Sequence, residues 1–447
     1  MCSATAFADE QINQTNFPDQ NFRNWLLAQP YGKDGVLTNL EIAEITSMDV
    51  SFQDISDLTG IKFFTNLESL FCSYNQLTSL DVSDLTNLKE LHCQDNLLAS
   101  LNVSGLTNLE ILHCSGNKEL VSLDVSGLTN LEQLWCSGNE LASLDVSGLT
   151  NIEMLDCSHN LLASLDFSDL TNIEMLDCSH NSFVSLDVSG LNSLERLFCQ
   201  NNLLASLNVS GLANLERLFC QNNQLASLDV SGLTNLERLN CSNNLLASLN
   251  FSGSTNLWML HCQDNLLASL DVSSLTNLEE LNCSNNQLAS LNVSGLAELE
   301  DLDCFNNQLT SLDLSGLDKL WFYNGDDQNV ALTLTGADGN YSVEIELNKP
   351  TELADGLTYD NGTLTSISNT ITSSLFTVET GNPNFTLSGT LTLNYETSVD
   401  VIQTDNYPFV PKVIGYYSIM GQKLSKEPES GVYIILYDNG KATKVLK

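Results

Sequence analysis

Leu236–Phe251 reads LERLNCSNNLLASLNF, one copy of a unit that recurs twelve times between Leu67 and Lys319, each copy marked by a cysteine. The frame is LxxLxCxxNxLxxL(D/N)(V/F/L)SxLxx. Eleven copies are 21 residues long, and the unit starting at Leu109 carries one extra residue at its NKEL turn. A fixed period of this size specifies a solenoid, in which each unit buries its apolar face against its neighbours. Within each unit apolar residues recur as LxC and again as LxV. That spacing of two is strand spacing, met on two sides of the coil. The sequence therefore predicts a β-rich solenoid with parallel strands stacked at about 4.8 Å, the repeats alone extending roughly 50 to 60 Å.

The constant polar columns read as structure. An Asn follows each Cys by three residues, from Asn75 to Asn307, and its amide can satisfy turn backbone rung after rung. The Ser columns, such as Ser206 and Ser210, and the Asp or Asn before each Val, such as Asp229 and Asn250, read the same way. Stacked Asp residues repel, and Asn208, Asn250 and Asn292 interrupt the row. The repeat cysteines, Cys72 to Cys304, lack metal spacing. Parallel rungs at about 4.8 Å also miss the Cβ separation of about 3.8 Å that a disulfide needs. They are expected to be small buried hydrophobes, and no cofactor is implied.

The LxxLxCxxNxL core resembles the regular segment of leucine-rich repeat proteins, and NQLASLDVSGLTNLERL is similar to internalin-type repeats shortened by one residue. The nested LxC and LxV halves resemble the short bacterial class called IRREKO, which implies two parallel sheets per coil. The likeness covers more than half of the chain.

At the entry, MCSATAFA (residues 1–8) ends in a small-x-small pattern and reads as a truncated export signal, with a plain unstructured start as the alternative. Residues 9–44 are expected to form a small helical N-terminal cap, with Phe17, Phe22, Trp25, Leu26 and Leu27 largely on one face. GKDGVLTNLEI resembles the second half of an EF-hand loop through Asp34, Gly35, Leu37 and Glu41. Pro30 and Gly32 occupy its first two ligand positions, so a structural turn is expected. An imperfect first coil follows with Met48 and Val50 inward, and the repeat region is placed at 45–320.

Beyond it, 321–405 is Thr-rich with short alternating segments (YSVEIEL, TLTSI, FTLSGTLTLNY), which predicts a β-sandwich-like domain. The tail, 406–447, resembles the C-terminal sorting domain of the type IX secretion system of Gram-negative Bacteroidota, through Tyr417, Gly421, Gln422, Gly431, Val432, Tyr433, Gly440 and Lys444. That likeness implies export to the outer-membrane surface or medium, with the secretion machinery as a partner. The alternative is that the tail's hairpin is the last pair of strands of the sandwich-like domain.

The net charge of -40, from 16 basic and 56 acidic residues, argues against nucleic acid and anionic membranes as partners. Side-chain variety concentrates just before each Cys: Phe71, His92, His113, Trp135, Asp156, Asp177, Phe198, Phe219, Asn240, His261, Asn282 and Asp303. Two positions earlier stand Met154, Met175, Arg196, Arg217, Arg238 and Met259. Six basic residues lie between Leu67 and Lys319 against 32 acidic ones, and three of the six are those arginines. The aromatic, His and Arg side chains (Phe71, His92, His113, Trp135, Arg196, Phe198, Arg217, Phe219, Arg238, His261) form a candidate surface for a protein or glycan ligand. Large outward β-formers that simply stack down a sheet are the competing reading. The paired DCSHN units could bring Asp156, His159, Asp177 and His180 to one metal, or record a duplication; no metal is assigned. No nucleophile elbow, P-loop or HExxH occurs, and an enzyme is not expected. The expectation is a monomeric, adhesin-like surface or secreted binding protein, with a structural or glycan-binding surface component as the alternative.

Overall fold

The computed structural model describes residues 9–337, 339–348, 350, 352–397, 413–419, 422–437 and 442–446. The export-signal reading of residues 1–8 lies outside them, as do Gly421 and Gly440. Two compact units are present. The first holds the chain to Asp326 together with Thr380–Phe385, and the second holds Asp327–Glu379 and Thr386–Lys447.

The first unit is a solenoid built on one parallel sheet of fourteen strands. Twelve come from the repeats, preceded by Ser47–Asp49 and followed by Phe322–Asn324. Each strand is three residues long because the coil must turn at both ends of it, and register is kept by identity: Arg196, Leu197 and Phe198 pair with Arg217, Leu218 and Phe219. The extra residue of the Leu109 unit leaves that register intact, with His113 opposite Trp135. It is absorbed by a turn in which Leu120 N–H donates to Asn117 O at 2.8 Å. The Leu and Cys columns of the LxC strands are fully buried, and all twelve repeat cysteines are free thiols.

The Asn column does more than close turns within a rung. In Asn244, Nδ2 donates to Cys241 O in its own coil and to Cys220 O in the coil before, both at 3.1 Å. Its Oδ1 accepts from Leu225 N at 3.0 Å. Twelve such amides stitch neighbouring coils together along a buried line. The residue before each of these Asn turns left-handed, for example Tyr74 (φ 53°), Asp95 (54°), Gly138 (65°), His159 (52°) and Asn201 (56°). Asn, Asp and Gly tolerate that region, which accounts for their frequency at the position.

The second side of the coil departs from expectation. It forms a sheet only at Ser227–Asp229 with Ser248–Asn250, plus single bridges joining Asp81, Asn102 and Asp124. The Asp or Asn there turns back on its own backbone: Asp229 Oδ1 accepts from Ser231 N at 2.9 Å, and Asn250 Oδ1 from Ser252 N at 3.2 Å. The same turn recurs in rungs with and without the paired strands, as at Asp145 and Asp187, so it sets the local bend of this side rather than where the ladder forms. The serine hydrogen bonds also hold carboxyls such as Asp81 and Asp271 below their usual range, which eases the stacking of like charges.

At the entry, a helix at Gln20–Ala28 is N-capped by Asp19, which accepts from Asn21 N and Phe22 N. The same carboxylate accepts from Ser56 N at 2.9 Å and so ties cap to coil. Phe17, Phe22 and Leu26 are buried, whereas Leu27 is exposed and Trp25 only partly covered. The apolar face is narrower than expected, because positions 22 and 26 share a helix face and 27 lies about 100° from 26. Asp34 and Glu41 are both engaged in local structure. Asp34 Oδ1 accepts from Val36 N, and Glu41 closes a capping box with Thr38 on the helix Asn39–Glu44. At the exit, the solenoid runs past the boundary expected at residue 320. Phe322–Asn324 adds one more rung, with Tyr323 in register with Leu302 and Phe385 packed on its ring at 5.1 Å.

The second unit contains a six-stranded mixed sheet and a four-stranded antiparallel sheet. In the larger sheet, Gln328–Ala337 runs parallel to Thr386–Thr397. Tyr395, on the latter strand, donates to Ile371 O at 2.8 Å and to Ser366 Oγ at 3.1 Å, although two strands separate it from the Ser366 strand in sheet order. A flat sheet would hold those strands about 14 Å apart. The sheet is therefore curled, and the strands described from Gln328 to Thr397, in the region expected as a sandwich, lie in one six-stranded sheet.

Candidate binding face

Because side chains alternate along a strand, the residue before each Cys and the one two positions earlier point away from the Leu–Cys core. All ten candidates lie on the long sheet, and its register sets who touches whom. Phe71 stacks on His92 (4.8 Å, 27°), His92 meets His113 edge-on (5.8 Å, 69°), and His113 meets Trp135 (6.0 Å, 46°). Phe198 and Phe219 form a separate T-shaped pair at 5.4 Å. Arg196, Arg217 and Arg238 are in register on three successive strands. His261 lies on the strand next to that of Arg238, opposite Asn240, and is hydrogen-bonded to Glu280 at 2.7 Å.

These side chains are partly buried rather than freely exposed, because each is covered by its neighbours on the rungs above and below. Burial pushes the His92 imidazole below its usual range, opposed by Glu90; His113 is lowered by burial and then by His92. Burial raises the carboxyls of Asp177, Asp301 and Asp303. The arginine Nε atoms are buried without a hydrogen-bond partner. Glu195 lies 4.0 Å from Arg196, and among the described residues no acidic group comes within that distance of Arg217 or Arg238.

Trp258 was not among the residues singled out from the sequence, yet Arg238 lies over its ring at 4.2 Å. The signal was present: NLWML replaces the NLERL of earlier units, putting Trp where Glu195, Glu216 and Glu237 stand. A second Asn column was missed as well. Asn87, Asn108 and Asn151 each donate to the backbone of the preceding coil at 3.0 Å. The DCSHN units do not assemble a metal site. Asp156 and Asp177 accept from Ser158 Oγ and Ser179 Oγ at 2.7 and 2.6 Å, while His159 and His180 stack at 3.9 Å in the turn beyond. No group of three or more His, Cys, Asp or Glu suited to a metal occurs among the described residues.

Three stretches, residues 65–106, 129–172 and 213–253, match the family described as Leucine Rich repeats (2 copies). Internalin J of Listeria monocytogenes serotype 4b (strain F2365) is 37% identical over 68 residues, which is 15% of this chain and 7% of that protein. Among solved structures, the functional domain of internalin J from Listeria monocytogenes, which includes a cysteine ladder, superposes with a TM-score of 0.63 at 28% identity, covering 88% of this chain and all of that one. A leucine-rich repeat protein of Leptospira interrogans gives 0.59 at 28% identity, covering 65% and 81%. An internalin (InlF) of Listeria monocytogenes gives 0.61 at 25% identity, covering 72% and 98%.

Proposed function

We propose that this internalin-like leucine-rich repeat solenoid is a cell-surface or secreted binding protein of adhesin type from a Gram-negative bacterium. It takes a protein or glycan of a host or neighbouring cell on the outward face of its long sheet, as a monomer and without catalysis. The observation that carries this reading is the in-register row Arg196, Arg217 and Arg238, beside Phe198 and Phe219, in a chain of net charge -40. The core needs none of these groups there. Together they offer guanidinium forks and ring surface to a carboxylate or sulfate on the ligand. The same net charge disfavours nucleic acid as the partner.

Screening the chain against extracellular-matrix proteins and sulfated glycans, then repeating the measurement with all three arginines changed to Glu, tests the assignment. An acidic ligand is expected to lose about 2 kcal/mol or more of binding free energy. A parallel Arg→Gln variant, which keeps most of each stem, separates lost charge from lost packing. Equal binding by both variants contradicts the site. Tighter binding by the Glu variant identifies a basic ligand and shifts contact to Asp156 and Asp177.

The export reading belongs to the same proposal. Tyr417, Gln422, Val432, Tyr433 and Lys444 fall on or beside the antiparallel strands Val413–Ser418, Lys423–Leu424, Val432–Tyr437 and Ala442–Leu446. Deleting residues 412–447 is expected to abolish surface display in the native host and leave the circular dichroism of the repeats unchanged. Display that survives the deletion removes the sorting role.

A further inference from the structure

The rings of the face are not spread evenly. Four stand in unbroken succession on the first four repeats, with centroids 4.8, 5.8 and 6.0 Å apart. Their planes turn by 27°, 69° and 46° from one to the next, and all four rings are partly exposed. The strands carrying them, from Ser69–Phe71 to Gln133–Trp135, contain no Lys or Arg. Burial lowers the pKa of both histidines and so disfavours their cationic form.

Partly exposed hydrogen-bonding groups flank the row on both sides. Glu90 and Gln133 lie two positions before their rings, and Gln94, Ser115 and Ser137 lie two positions after. Trp135 Nε1 donates to Gln133 Oε1 at 3.3 Å, and Ser137 Oγ donates to Ser115 Oγ at 3.0 Å, so these flanking groups are held in place.

We propose that Phe71, His92, His113 and Trp135 form a platform for a linear, neutral glycan laid along the sheet. A sugar ring presents apolar C–H faces to aromatic rings and hydroxyls, at once donors and acceptors, to the amide, carboxylate and Ser groups at its rim. An anionic ligand meets Glu90, and the neighbouring Lys89 is already paired with Glu68 at 2.7 Å. A wholly apolar one strips water from the flanking groups and returns no hydrogen bond. One ring per rung, with centroids 4.8 to 6.0 Å apart, suits a polymer whose successive residues repeat on that scale. The proposal rests on this sheet face being the binding surface, but it uses rungs separate from the arginines, so either can fail alone.

The test is calorimetric titration of the full chain with cellohexaose, xylohexaose and mannohexaose. At least one is expected to bind at submillimolar concentration. Trp135→Ala and Phe71→Ala should weaken that binding about tenfold or more, Trp135→Phe should largely restore it, and the triple Arg→Glu variant should leave it unchanged. Should Trp135→Ala lose the repeat signature in circular dichroism, His113→Ala and Gln133→Ala carry the same comparison, each with an expected loss of about threefold or more. Failure of all three oligosaccharides to bind at millimolar concentration, or equal binding by the ring variants, overturns the platform. Loss confined to the arginine variant overturns it too, while leaving the arginine site standing.

Discussion

Raising the pH above 9 is expected to unfold the repeat array over a narrow interval. All twelve repeat thiols are buried, and burial pushes their pKa up, to about 12 for Cys72, Cys114 and Cys220. In the unfolded chain they titrate near 9.0. Below that value both states keep their protons, and the contribution to stability is fully present. Between about 9 and 12 only the unfolded chain ionises, so stability falls as pH rises. Each thiol contributes about 1.4 kcal/mol per pH unit, and twelve together approach about 16 kcal/mol per unit, against a total stability of order 5–15 kcal/mol for a folded domain. Circular dichroism from pH 8 to 11 measures the transition. Alanine at Cys178, Cys199 and Cys220 should make it about a quarter less steep. In a Cys2→Ser background, a thiol reagent at pH 8 should label none of the twelve promptly in the native protein and all of them in denaturant. A flat signal to pH 11, or prompt native labelling, refutes the burial argument.

Asn244→Ala is expected to lower the unfolding free energy by about 3 kcal/mol. The Leu225 N–H loses its acceptor in a buried position, and the carbonyls of Cys220 and Cys241 each lose a donor. An orphaned buried amide costs about 1–3 kcal/mol, and each remaining bond contributes about 0.5–1.5 kcal/mol. Because each coil touches only its neighbours, the defect falls on the interface between two rungs and should appear as a split or broadened denaturation curve. Asn235→Ala, which removes one exposed bond to Ala213 O at 3.0 Å, is the control and should cost less than about 1 kcal/mol. Equal losses in the two variants contradict the ladder account.

Much of the solenoid was legible because a repeat states each rule twelve times. The Leu and Cys columns, the strand before each Cys and the turn-forming Asn follow from spacing within one unit, and the next unit repeats them in register. The imperfect coil at Met48 and Val50 was readable for the same reason. The candidate face was legible only as a roster: the sequence showed which residues stand outward, but not that Phe71 to Trp135 form one ring row while Phe198 and Phe219 form another.

What the sequence by itself determined, then, is everything that depends on a side chain's place within its own unit: period, inward columns, outward columns and the turn that each Asn closes. Tertiary structure alone decided the features that arise where different units or distant segments meet. These include the limited pairing on the second side of the coil, the half-burial of the outward groups, the approach of Arg238 to Trp258, the extra rung at Phe322–Asn324 and the curl that carries Tyr395 to Ser366. The physical reason is range. Local spacing fixes direction relative to the backbone, whereas contact between side chains depends on how neighbouring rungs and non-repeating strands pack, and no single unit encodes that.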